Sequence, residues 1–201
     1  MLAIIQAAGW PIWFLLSASV VALSIIVERF LSLRRSRILP AALLPEVIQL
    51  ARAGRVNAEL ISQLELNSPL GRVLAAGMRL QHASRESVKE AMEEAARAVA
   101  HELERYLNAL GTVATLAPLL GLFGTVVGMI ELFGVQNPVG VDPAHFAHGI
   151  SVALYNTGFG LAVAMPALVF YRFFRGLVDS LLVDMEQQAL RFIDSALRVQ
   201  D

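Results

Sequence analysis

Cysteine is absent from the 201 residues. That removes any disulfide framework, thiol nucleophile or cysteine-based metal site. Charge is also scarce: 16% of residues are charged, against about a quarter in ordinary globular chains. A formal net charge of -1 offers no electrostatic attraction to nucleic acid, and no run interleaves basic with aromatic residues as a single-strand groove would. No nucleophile, base and metal ligands cluster in the sequence, so an enzyme is not expected, and neither is a cofactor.

The scarcity is uneven. Met1 to Val27, Tyr106 to Ile130 and Pro143 to Tyr171 contain no Lys, Arg, Asp or Glu, in a chain that is 56% hydrophobic. Each stretch exceeds the ~20 helical residues needed to cross a ~30 Å hydrocarbon core. The first is expected to be a retained helix rather than a secretory signal, because no Lys or Arg lies among residues 1–9 while Arg29, Arg34, Arg35 and Arg37 follow Val27. Twelve of the 16 basic residues lie between Arg29 and Arg105, four between Arg172 and Arg198, and none between Glu131 and His148. Lys and Arg near span ends stay in the cytoplasm. The expected fold is therefore an all-α membrane protein with three transmembrane helices and long cytoplasmic helical extensions. Its expected parts are an N-out span within 1–28, a cytoplasmic helical segment 29–105, a second span 106–133, a periplasmic loop 134–146, a third span 147–173 and a cytoplasmic C-terminal helix 174–201. Trp10 and Trp13 fall where the first span meets the outer interface, as anchoring rings do.

The segment from Pro40 to Gln81 reads as short helices broken by Pro40, Pro45, Gly54 and Asn67-Ser68-Pro69. Beyond Ser84, Ser87 and Glu90 are spaced as a capping box, and Val88, Met92, Ala95, Val99, Leu103, Tyr106 and Leu110 recur every three or four residues. No turn signal follows, which predicts one helix from about Glu86 to Phe133, ~70 Å long. Phe174, Val178, Leu181, Met185, Ala189, Phe192 and Ala196 form a second stripe, suited to a packed hairpin or to a homo-oligomeric bundle.

In span two, Gly121, Gly124, Thr125 and Gly128 share one side of a helix. Small residues let helix backbones approach in lipid. The face serves either helix packing alone or, with the hydroxyls of Thr115 and Thr125, a polar path or a clasp on another chain's helix. Span three places Ser151, Tyr155, Asn156 and Thr157 within two turns, with Gly158 and Gly160 beside them. An Asn facing lipid is costly, so this group should face protein or water. Pro118 and Pro166 sit inside the spans, where each frees a carbonyl and a kink is the simplest result. Glu131 borders span two at its outer end and is expected to face interfacial water. His145 and His148 are too few for a metal site. A protein that moved protons unaided would hold an ionisable residue in mid-membrane; the charge-free stretches of the three spans hold no carboxylate there, so any titrating acid must come from a partner helix.

Two segments, Ala117-Pro-Leu-Leu-Gly-Leu-Phe-Gly-Thr-Val-Val-Gly128 and Gly149-Ile-Ser-Val-Ala-Leu-Tyr-Asn-Thr-Gly-Phe-Gly-Leu-Ala-Val-Ala-Met-Pro-Ala167, resemble the paired signature of the MotA/TolQ/ExbB proton-channel family. Three spans and a short chain are similar to its ExbB and TolQ branch. The likeness is specific over roughly residues 105 to 175. It implies a homopentamer in the bacterial inner membrane, N-terminus periplasmic and C-terminus cytoplasmic. Spans two and three would line a pore around single-span ExbD- or TolR-like subunits, with a TonB- or TolA-like protein as a further partner. The resemblance also implies a membrane-embedded Asp on the partner helices that takes up and releases protons beside pore-lining threonines. By position, Thr157 corresponds to the span-three threonine. Two positions depart: Leu116 stands where a Thr often precedes Ala-Pro, the hydroxyl moving back to Thr115, and Val152 stands where some members carry an acid. The expected function is a subunit that couples proton flow to outer-membrane transport or envelope maintenance. The alternative is a structural scaffold that assembles helices without proton coupling.

Overall fold

The computed structural model describes residues 9–134 and 143–196. The expected outer loop falls largely outside the described residues, as do both chain ends and the side chains of His145 and His148. Among the described residues there are eight helices: α1 (Ile12–Ser32), α2 (Arg35–Ile38), α3 (Leu43–Arg52), α4 (Ala58–Asn67), α5 (Pro69–Arg79), α6 (Arg85–Leu103), α7 (Leu107–Gly134) and α8 (Pro143–Ala196). No strand occurs among the described residues. Three stretches, Ile12–Ser32, Arg85–Gly134 and Gly149–Ala196, contain helix long and apolar enough to cross a membrane. The all-α, three-span expectation holds.

The chain divides into two compact units, one comprising residues 1–28 and 106–173, the other residues 29–105 and 174–201. In the first, Leu15 of α1 is buried with Ala117 of α7 and Ala164 of α8, and Leu120, Phe159 and Val163 pack around them. Trp10 meets Phe123 edge-on at 5.9 Å. Apolar side chains on the outside, among them Leu119, Ile130, Leu154 and Val169, form the sort of surface that lipid or another helix covers.

In the second unit, the two stripes meet the expectation: Val88, Met92, Val99 and Leu103 are buried on α6, and Phe174, Val178, Leu181, Met185 and Phe192 on α8. Ion pairs Arg35–Asp184 (2.8 Å), Arg72–Glu102 (2.6 Å) and Arg85–Asp194 rim this core. Being exposed, each contributes at most about 1 kcal/mol.

Three local expectations are corrected. The helix predicted from about Glu86 to Phe133 is interrupted at residues 104–106, where Tyr106 has φ 65°. Tyr106 thereby leaves the buried stripe and is 43% exposed. Pro45 does not break a helix but sits in the first turn of α3, where the N–H it lacks would have had no intrahelical partner. The cap of α6 is Ser84, whose Oγ accepts the Ser87 N–H at 3.2 Å, three residues before the predicted box.

Candidate functional site

Spans two and three pack as an antiparallel pair whose contact line is built from glycine. A Cβ added at Gly121 would lie 2.9 Å from the Asn156 carbonyl oxygen and 3.2 Å from Thr157 Cα, and one at Gly160 would lie 2.7 Å from the Ala117 oxygen. At Gly128 it would meet Ala153 N at 3.4 Å. Gly149 against Leu132, and Gly111 against the Tyr171 ring, extend the line to both ends. These last two were not singled out in the sequence, although Gly111 lies on the same side of the helix as Thr125. Of the other predicted packing residues, Pro118 is half-buried, while Gly158 and Pro166 are exposed and an added Cβ at Gly158 meets nothing.

Asn156 is fully buried at this line, its Nδ2 donating to the Val152 oxygen at 3.1 Å. The polar group of span three is therefore split. At about 100° per residue, Thr157 lies about 100° to one side of Asn156, and Tyr155 and Ser151 about 100° and 140° to the other. On α7, Thr125 and Thr115 lie about 40° and 120° from Gly121, in the same rotational sense as Thr157 from Asn156. Two right-handed helices running antiparallel bring such residues to the same edge of the pair. Thr115, Thr125 and Thr157 thus share one edge. Leu120, Phe159 and Val163, displaced in the opposite sense, form the edge against which Leu15 packs.

Since Thr157 lies level with Gly121, it stands six residues along from Thr115 and four from Thr125. At 1.5 Å per residue the three hydroxyls make a column about 15 Å long with gaps of about 9 and 6 Å. Neither gap is a hydrogen bond, so a proton crosses only if water or a moving group bridges it. Thr115 Oγ1 donates to the Thr112 oxygen at 2.9 Å, and Thr125 Oγ1 to the Leu122 oxygen at 2.6 Å. Each hydroxyl spends its proton on its own helix and keeps lone pairs for an outside donor. Ser151 does the same with the Ala147 oxygen at 2.8 Å, on the other edge.

The profile of the MotA/TolQ/ExbB proton channel family matches residues 65–187, which takes in the whole glycine line and the three-threonine edge. The chain belongs to this family. The match also reaches well into the segment between spans one and two, beyond the 105–175 stretch that carries the visible signature. An ExbB-like biopolymer transport protein of Synechocystis sp. is 30% identical over 168 residues, 81% of this chain and 79% of that one. A biopolymer transport protein of the ExbB kind from Vibrio cholerae is 30% identical over 171 residues, 81% and 74% of the two chains. An ExbB homolog of Methanothermobacter thermautotrophicus is 34% identical over 115 residues, 57% of this chain but 41% of that longer one. These relatives place the chain in the ExbB-like branch, a class of membrane proton channels rather than of enzymes.

Proposed function

We propose that this chain is the inner-membrane subunit of a complex driven by the proton-motive force, assembled as a homopentamer around single-span partner helices. The N-terminus lies in the periplasm and the C-terminus in the cytoplasm. The proton-binding carboxylate belongs to the partner, because the charge-free stretches that form the spans, Met1 to Val27, Tyr106 to Ile130 and Pro143 to Tyr171, contain none. The observation that carries this reading is the edge formed by Thr115, Thr157 and Thr125, on the side of the hairpin away from Leu15. Along it a partner carboxyl can be hydrogen-bonded at successive heights while it carries a proton inward. Each charge moved is worth ~2.3 kcal/mol per 100 mV. The work is done on outer-membrane transport or envelope maintenance, through a TonB- or TolA-like protein.

A scaffold without proton coupling is the second reading, favoured by the glycine line, which accounts for Gly121, Gly124, Gly128 and Asn156 by packing alone. Replacing Thr157 with Val separates the two. Under the first reading the complex still assembles and its energised work is lost; full work in that variant refutes the role. Mass measurement of the purified complex tests five copies against two of the partner.

A further inference from the structure

On α4, Leu64 is buried and Leu60 and Ile61 are half-buried, but Leu66 is 86% exposed. Glu59 lies two turns before Leu66 on the same face, about 20° round and about 10 Å back along the axis, and it too is exposed. Arg55, one turn before Glu59 in the chain, is exposed as well. Neither charged side chain has an ion-pair or hydrogen-bond partner among the described residues. Elsewhere in the same unit, a groove of 340 Å³ runs between α6 and α8, with Met92, Ala96, Ala189, Leu190 and Ile193 along it. Ion pairs Arg85–Asp194 and Arg175–Glu104 set the two helices antiparallel there. Arg97 on one wall and Glu186 on the other therefore stand within about one turn of the same height. Both are exposed, and both lack an ion-pair partner among the described residues.

We propose that the groove between α6 and α8 receives α4 of a second copy of this chain, with Leu66 as the inserted side chain. The inference rests on the homo-oligomer proposed above and adds where two copies meet. Charge complementarity selects the occupant: the groove offers an unpaired cation and an unpaired anion at one height, and α4 brings Glu59 and Arg55 to meet them. With Glu59 at Arg97 and Arg55 at Glu186, Leu66 lies about 10 Å further along. Ile193 stands seven residues beyond Glu186, which is the same distance of about 10 Å. The register that pairs both charges thus sets an apolar side chain on apolar lining. Burial of Leu66 supplies affinity, and the rim charges fix register. Leu66 and the groove are different surfaces of one chain, so the contact is head-to-tail, and such a contact repeated by a fixed rotation closes a ring. A homopentamer around central partner helices needs that symmetry.

Disulfide trapping in membranes holding the full chain tests it, because the chain has no cysteine of its own. Leu66→Cys combined with Ala189→Cys, once oxidised, should give a ladder of linked multimers on a denaturing gel, since a seated side chain brings the two positions within disulfide range. Leu66→Cys combined with Ser180→Cys, exposed on α8 and half a turn round from Ala189, should give at least about tenfold less. In the first pair, Glu59→Arg should weaken the ladder at least about threefold, and adding Arg97→Glu should restore it. Equal ladders from the two cysteine pairs, no weakening by Glu59→Arg, or no rescue by Arg97→Glu overturns the contact. A linked product that remains a single chain would put α4 on its own groove, and linkage of Ala189→Cys to a different protein would give the groove another occupant; either overturns it as well. Mass measurement of the same preparation separates the two readings. Several copies without a ladder overturn this contact alone, whereas a lone copy overturns the homo-oligomer along with it.

Discussion

Gly124 and Asn156 occupy the same point of the contact between spans two and three: a Cβ on Gly124 would lie 2.6 Å from both Cβ and Cγ of Asn156. Two nonbonded carbon atoms do not tolerate that distance, and Asn156 is fully buried with its amide on the Val152 carbonyl. Gly124→Ala should therefore cost about 1–3 kcal/mol through overpacking. Gly158→Ala, on the exposed side where nothing lies within 4 Å, should be neutral or stabilising. Chemical unfolding of both variants in mixed micelles checks the pair; equal stabilities would show that the two helices do not touch along this line.

The same contact predicts a rescue. Asn156→Gly alone removes packed atoms and adds a glycine to α8, which costs about 0.3 kcal/mol from propensity, since Asn is itself a poor helix former, before any packing is lost. Combined with Gly124→Ala it moves the glycine from one helix to the other. The double variant should be more stable than the sum of the single effects by about 0.5–3 kcal/mol. A double-mutant cycle on unfolding free energies measures it, and strict additivity would count against the contact.

The three spans were legible in the sequence because lipid demands long charge-free runs, and the glycine line because close packing demands small residues at helical spacing. Which polar residues of span three share an edge with those of span two was not legible. Spacing gives angles on each helix separately, and only the antiparallel contact at Gly121 and Asn156 relates the two. The interruption at Tyr106 was invisible for a different reason: the Leu103 carbonyl at the end of α6 accepts from Arg29, 74 positions distant, and no local breaker marks the break. Pro45 misled in the opposite direction, since a proline is punctuation only beyond the first turn. Ser84 and Ser87 both suit a cap, and the sequence signal for one is the signal for the other.

The short-helix region offers a test of local capping. Ser68 is buried, and its Oγ accepts the Gly71 N–H at 3.1 Å to start α5 at Pro69. Ser68→Ala should cost about 0.5–2 kcal/mol. Gly71→Ala should cost more, because the added Cβ would sit 2.1 Å from the Leu64 carbonyl oxygen, a backbone atom that cannot swing aside. Thermal unfolding should rank wild type above Ser68→Ala and Ser68→Ala above Gly71→Ala. The reverse order of the two variants would mean that the close approach of Gly71 to α4 is not maintained.

The edge assignment makes the sharpest functional prediction. Ser151 and Thr115 are chemically alike, each a hydroxyl bonded back to its own helix, but they lie on opposite edges of the hairpin. If the column of Thr115, Thr157 and Thr125 meets the partner's carboxyl, losing Thr157 merges the two gaps into one of about 15 Å, and losing Thr115 or Thr125 removes one end of the column. Thr115→Val, Thr125→Val and Thr157→Val should each slow proton flux at least about tenfold, equivalent to about 1.4 kcal/mol in the barrier. Ser151→Ala should leave it within about twofold, and Thr→Ser at each of the three positions should restore it. The measurement is proton uptake into vesicles holding this chain together with the proposed single-span partner. Equal losses from Ser151→Ala and Thr157→Val would mean that edge position does not matter, and the proton would then have to follow some route other than the threonine column.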